Sequence, residues 1–288
     1  MSVYPKDYDE RVLEDIKNNI GLETPVKSGI LRRLVTNKLS VNKIHPNPVD
    51  EFCDPKIGPN FGIVGNYVDK FLNNPAFGDP LIVHRIATGE YMILNGHHRW
   101  LAAIRAGKKT VPVQLVDVVS EEQICKTIGK SKNKMCVSFD FDEVILTDGE
   151  AVPYDKKISW PFSNLYKKYI RKKAPVLINE LRAMGFDVWI YTGELHSVEY
   201  IKLLLSLHNT KVDGIINGLA KRKNRIKLQD IFAKKYEISV HVDNDRLICV
   251  DTATKDYEIN EIEYNPKSWA SDVMICLKGM DIIKKVNQ

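Results

Sequence analysis

The stretch "CVSFDFDEVILTDGE", Cys136–Glu150, runs an apolar strand straight into three acids, Asp140, Asp142 and Glu143. Closely spaced carboxylates repel one another, and each costs free energy to bring out of water. A strand end tolerates such a cluster when a hard cation neutralises it. Mg2+ takes oxygen ligands, and one or two carboxylates plus a substrate phosphate complete its shell around the waters it keeps. The stretch therefore predicts a metal and a phosphate at the end of a strand.

Outward from this strand the chain alternates. "MCVSFDF" reads as a strand, "APVLINELRAMGF" as a helix, "DVWIYTG" as a strand and "SVEYIKLLLSLHN" as a helix. "VDGIING", "IKLQDIFAKKY" and "ISVHVDN" continue the pattern as strand, helix and strand. Alternation of this kind predicts a parallel sheet with helices on both faces. Ligands of such sheets sit at the C-terminal strand ends. Those ends carry Asp140 and Asp142, then Thr192, then a lysine-rich turn over Lys221–Lys227, then Asp243 and Asp245. With a metal present, one aspartate can act as nucleophile while a second, two residues on, moves protons. A threonine and a lysine can hold the phosphoryl oxygens. Aspartates after a strand also cap turns, so the reading rests on all four strand ends together.

In that order, "DFDEV", "WIYTG", "AKRKNR" and "HVDND" resemble the four motifs of the haloacid dehalogenase superfamily, from about Met135 to Gln288. The resemblance implies Asp140 as nucleophile, Asp142 as general acid/base and Thr192 and Gly193 at the phosphate. It implies Lys223 (or Lys221 or Lys227) as the stabilising cation. Mg2+ would be held by Asp140, Asp142 and Asp243, with Asp245 as the alternative at the last strand end. Glu143-Val144 stands where the superfamily usually has Gly-Thr.

The N-terminal half has a different logic. "PLIVHRIATGEYMILNG" reads as two strands joined around Thr88-Gly89, and "HHRWLAAIRAG" as a helix closed by Gly107. Gly96 leaves backbone room at the helix start, and the first-turn N–H groups of His97, His98 and Arg99 favour an anion. This box resembles the ParB/sulfiredoxin superfamily over roughly Leu39–Val119, with "LSVNKIHPNP" and "KKTVPVQLVD" as its flanking strands. The resemblance implies nucleotide binding at Gly96, His97, His98 and Arg99, with ATP or another nucleoside triphosphate as ligand. Reductase chemistry is not implied, since position 97 is histidine where that chemistry needs cysteine. Kinase members keep a carboxylate near Glu51, with Asp50 and Asp54 equally close in sequence. His45 and His84 read as ordinary core or surface histidines.

Length and composition are consistent with two domains: 288 residues, 44% hydrophobic and 27% charged. The polar run "SEEQICKTIGKSKNK" divides them, giving 1–128 as a smaller α+β domain with a helix over Asp7–Asn19, and 134–288 as the α/β domain. Five scattered cysteines without a C-x-x-C pair predict neither disulfides nor a zinc ribbon, and no apolar run approaches a membrane span. A charged N-terminus predicts a cytoplasmic protein without a secretory signal. The net charge of +5 and the basic stretches Lys167–Lys173 and Lys221–Lys227 admit nucleic acid as a partner.

Three functions follow as expectations. The first is a Mg2+-dependent phosphatase that forms an aspartyl-phosphate from a nucleotide, nucleoside phosphate or nucleic-acid phosphate. The second is an ATP-dependent kinase in the N-terminal domain, with Glu51 assisting transfer and the other half able to reverse it. The third is a nucleotide-gated DNA-binding module.

Overall fold

The computed structural model describes residues 14, 24–54, 56–74, 78–218, 228, 230–251, 257–262 and 265–279. The chain folds as two compact units, Met1–Asp117 and Val118–Gln288.

In the first unit the short strand β1 (Pro25–Val26) precedes helix α1 (Ile30–Leu34) and strands β2 (Asn37–Ser40) and β3 (Ile44–His45). Helix α2 (Phe61–Asn73), strands β4 (Leu81–Ile86) and β5 (Tyr91–Asn95), helix α3 (His97–Arg105) and strand β6 (Thr110–Leu115) follow. The sheet order is β2-β6-β4-β5-β3, with β1 on β4. The expected hairpin is present: Gly89 adopts φ +86° and Ile86 N–H donates to Glu90 O at 2.9 Å. Valines and isoleucines on β4, β5 and β6 bury against Trp100 and Leu101 of α3 and Val64 and Phe71 of α2. The first turn of α2 is closed by Asn60, whose side chain accepts from Ile63 N–H. All but Glu14 of the helix expected over Asp7–Asn19 lies outside the described residues.

The second unit opens with helix α4 (Glu121–Ile128), started by a capping box between Ser120 and Gln123. Strand β7 (Met135–Asp140), the two-stranded ribbon β8 (Leu146–Thr147) and β9 (Tyr169–Ile170), helix α5 (Ala174–Ala183) and strand β10 (Phe186–Thr192) come next. Helix α6 (Val198–Leu207), strands β11 (Gly214–Asn217), β12 (Ile238–Val242), β13 (Arg246–Asp251) and β14 (Tyr257–Glu261), and helix α7 (Trp269–Gly279) complete it. The order is β11-β10-β7-β12-β13-β14.

The expectation of a parallel sheet holds for β11, β10, β7 and β12 and is corrected for β13 and β14, which run antiparallel. The reason is the short connection at Asp243–Asp245, where Asp243 N–H donates to Arg246 O at 2.9 Å. A turn of that length closes a hairpin, whereas a parallel return needs a dozen or more residues. Helices do cover both faces. Val137 and Phe139 of β7 pack with α5, α6 and α7, while Cys136 turns the other way toward Trp189, Ile216 and Ile124 and Ile128 of α4. This alternation is the period of two expected of a strand. Helix α4, placed before the domain boundary by the sequence reading, thus packs with the second unit. Among the described residues no helix is long and apolar enough to cross a membrane.

Candidate functional site

Each unit brings chemistry-bearing side chains together in one place. In the first unit, β5 passes into α3 through Gly96, which sits in the left-handed region at φ +105°. A Cβ there would stand 2.8 Å from Leu81 Cδ2 and 3.0 Å from Arg99 Nη2, so both conformation and space call for glycine. Among the described residues no side chain caps α3. Gly96, His97, His98 and Arg99 line a concavity of about 350 Å3 together with Asp50, Ile63, Tyr67 and Asn95. The first-turn N–H groups and the positive end of the helix dipole make this end favourable to an anion.

The side chains of the box also hold neighbouring segments in place. His97 Nε2 accepts from Asn47 N–H at 3.1 Å and its Nδ1 lies 3.6 Å from Asp50 Oδ1, so the buried ring fixes the loop that carries Asp50. His98 Nε2 accepts from Asn60 N–H at 3.0 Å, at the start of α2. Burial lowers the His98 pKa, while the charge of Asp50 acts the other way. Phe52 stacks on His97 and meets His98 edge-on, both at 5.3 Å. Arg99 donates through Nη1 to Pro80 O at 2.9 Å, bracing the start of β4. The carboxylate lining the concavity is Asp50, which caps the short turn Glu51–Cys53; Glu51 beside it is exposed. His45 and His84 are buried, and His45 Nε2 lies 2.9 Å from Glu90 Oε2.

In the second unit, parallel register sets Tyr191 of β10 beside Asp140 of β7 and Val242 of β12 beside Phe139. Asp140, Thr192 and Asp243 therefore end three adjacent strands at one edge. Beyond Asp140 the chain makes one wide helical turn, Phe141–Ile145, whose N–H groups at Asp142 and Glu143 both donate to Asp140 Oδ1 at 2.8 Å. Burial raises the Asp140 pKa, with the neighbouring Asp142 charge adding and the Glu143 hydrogen bond opposing.

Asp142 turns toward β10. Thr192 Oγ1 lies 2.7 Å from Asp142 Oδ2 and 2.6 Å from Glu194 O, Glu194 N–H donates to Asp142 Oδ2 at 3.2 Å, and His196 Nε2 meets Asp142 Oδ1 at 2.9 Å. Burial alone would raise the Asp142 pKa, but the His196 and Thr192 hydrogen bonds outweigh it and the net direction is down. Two neighbouring carboxyls are thus pushed apart in acidity.

Asp140 and Asp243 at adjacent strand ends fit the oxygen preference of Mg2+. The Asp142 carboxylate, also expected at the metal, is held by Thr192, Glu194 and His196. Asp245, the alternative at the last strand end, forks onto Arg246 at 2.8 and 3.1 Å, exposed to solvent. Thr192 is fully buried and engaged by Asp142, while Gly193 is exposed beside it. Lys221, Lys223 and Lys227 lie outside the described residues. Glu194 and His196 were missed from sequence; with Asp142 they bring three ligand atoms within 4.8 Å of one another. The signal was "GELH", a carboxylate and an imidazole directly after a strand end.

Comparison with known proteins bears on these sites. The ParB N-terminal domain matches residues 74–131, which include β4, β5 and the whole of α3. An ATP-dependent L-serine kinase from Desulfurococcus mucosus is 23% identical over 151 residues, 44% of this chain. The chain spans 58% of that relative's length. Among solved structures, sulfiredoxin from Arabidopsis thaliana is 18% identical over 31% of this chain and 92% of its own, with a TM-score of 0.25. ParB from Caulobacter crescentus with CTP-γ-S is 22% identical over 35% of this chain and 56% of its own, with a TM-score of 0.24. A free serine kinase in complex with AMP is 11% identical over 88% of this chain and 86% of its own, with a TM-score of 0.25. The expected enzyme class, a phosphoric monoester hydrolase of haloacid dehalogenase type, is corrected by the curated relative, which is a kinase and so a phosphotransferase.

Proposed function

We propose that the chain is an ATP-dependent phosphotransferase that phosphorylates the hydroxyl of a small molecule at the concavity in front of α3. The observation that carries this reading is an uncapped helix N-terminus, entered through Gly96 and faced by Asp50, inside the stretch that matches the ParB N-terminal domain. The likeness to an ATP-dependent L-serine kinase supports ATP as donor and an acceptor with an alcoholic hydroxyl.

In this reading the phosphates of the nucleotide rest on the N–H groups at the start of α3. His97 and His98 do not grip them; they hold the loop of Asp50 and the start of α2 in register around them. The acceptor hydroxyl attacks the terminal phosphorus and its proton passes to Asp50 or Glu51. The new P–O bond forms as the bond to the nucleoside diphosphate breaks, and the diphosphate leaves with the electron pair. Mg2+, bound through phosphate oxygens and one carboxylate, would neutralise charge on the phosphates.

The test uses the full chain with Mg2+ and terminally labelled ATP, offered L-serine and other small hydroxy compounds. Label should appear in an acceptor with wild type. Removing the proton-accepting carboxylate, by Asp50→Asn or Glu51→Gln, should slow transfer by roughly 10²–10⁴-fold with ATP binding retained. Asp140→Asn should leave transfer intact. Absence of both ATP binding and transfer in the wild type would overturn the proposal, and transfer abolished by Asp140→Asn would move the chemistry to the other unit.

A further inference from the structure

Between β8 and β9 the second unit holds a loop closed at its neck by the main chain. Asp155 N–H donates to Ile170 O at 2.9 Å, Lys172 N–H donates to Pro153 O at 2.8 Å, and Tyr154 bridges Arg171. The rings of Tyr154 and Tyr169 stack at 4.5 Å across the same neck. Six exposed lysines surround it: Lys156 and Lys157 on the outgoing side, Lys167 and Lys168 on the return, and Lys172 and Lys173 just beyond. No acidic residue occurs between Asp155 and Glu180. The Asp155 carboxylate is itself taken by His208 Nδ1 at 2.8 Å. Six lysines thus outnumber the acids at the neck, Asp148 and Glu150, which flank Gly149 beside the two tyrosine rings.

At the tip, Ile158, Phe162 and Leu165 turn inward and pack on the core of the unit. Phe162 N–H and Ser163 N–H both reach back to Ser159 O, at 3.1 and 3.2 Å, which makes the tip an ordered turn. Trp160, between these anchors, is 84% exposed, whereas Trp100, Trp189 and Trp269 are buried. A loop that packs Ile158 and Phe162 on the core while presenting the ring of Trp160 to water is arranged for a ligand, because that exposure forgoes the largest apolar burial available to it.

We propose that this loop binds single-stranded nucleic acid, with Trp160 stacked on an unpaired base and the surrounding lysines meeting the flanking phosphates. The chemistry matches on both counts. An exposed ring at the tip of a loop with a lysine-rich neck suits any base, since every base has a π face, and the lysines follow the backbone charge. A duplex hides its base faces and offers the ring nothing. An anionic membrane would take the lysines, but anchoring there needs a contiguous apolar surface, and the neighbouring apolar side chains are committed to the core. This inference is independent of the phosphotransferase reading, being carried by other residues in the other unit.

The experiment measures fluorescence anisotropy of a labelled 12-nucleotide oligothymidylate titrated with full-length protein, over a range of salt, with tryptophan quenching as the second readout. Trp160 is the tryptophan open to water, so quenching by the oligonucleotide reports stacking at this position. Expected results are binding that weakens as salt rises, Trp160→Ala weakening it by roughly tenfold, and Trp160→Phe recovering most of the loss. Lys167→Gln with Lys168→Gln should flatten the salt dependence. Binding unchanged in Trp160→Ala overturns the proposal. So does equal affinity for a blunt duplex of the same sequence, or binding to phosphatidylserine vesicles with none to the oligonucleotide.

Discussion

Gly96 sets the geometry of the first site at the level of one residue. Its φ of +105° is a region that side chains with a Cβ avoid, and Leu81, only 2% exposed, blocks the space a Cβ would take. Gly96→Ala should therefore cost about 1–3 kcal/mol of stability, the usual range for a residue forced into such a conformation. Denaturant unfolding measures that cost. Because the strain falls on the turn that aims α3, nucleotide affinity should drop with it, by at least tenfold in calorimetry. Affinity unchanged in a destabilised variant would show that the turn does not shape a nucleotide site. "NGHHRW" made this glycine and its helix start legible, since a glycine ahead of polar donors has a local cause. The work of His97 and His98 was not legible. Their partners Asn47 and Asn60 lie 50 and 38 residues away, and only the fold joins them.

Among elements, β7 and β10 are tied at their N-terminal ends by Asp187. This buried carboxylate takes Ser131 Oγ and Asn133 Nδ2 on one oxygen, both at 2.8 Å, and Tyr236 OH on the other at 2.7 Å. Trp189 Nε1 in turn donates to Tyr236 OH at 3.1 Å. Burial first, and then the Asp187 bond, raise the pKa of Tyr236, so the phenol stays a donor. Asp187→Ala would leave several donors without an acceptor, at about 1–3 kcal/mol for each that stays buried. A loss of about 3 kcal/mol in chemical denaturation is expected, with Tyr236→Phe losing less; a loss under ~0.5 kcal/mol for Asp187→Ala would show that water replaces the carboxylate. The strands were legible from alternation and apolar runs. The hairpin of β12 and β13 was not, because its turn Asp243–Asp245 has no glycine and its acids read as a ligand set. The partners His196 of Asp142 and Arg246 of Asp245 were not legible either, because the strand-end pattern does not weigh them.

For the molecule as a whole, the position of α4 decides where the second unit begins. The polar run around Gly129 looks like a linker, and by composition the sequence puts the boundary there. Ile124 and Ile128 nevertheless bury against Cys136, Trp189 and Ile216, closing one face of the sheet. Each burial of an isoleucine is worth about 1.5–3 kcal/mol against exposure. Those values are a large share of the ~5–15 kcal/mol that holds a domain folded. A fragment spanning 118–288 should then unfold in one cooperative transition with an ordered near-ultraviolet signal from Trp189 and Trp269. A fragment spanning 134–288 should melt lower by several degrees and expose the apolar strip of β7, β10 and β11 that α4 covers. Calorimetry with dye binding compares the two. Equal melting temperatures would mean that α4 adds nothing to this core. A strand whose alternate residues are apolar on both faces must be covered on both, and between β6 and β7 the amphipathic helix α4 covers one of them.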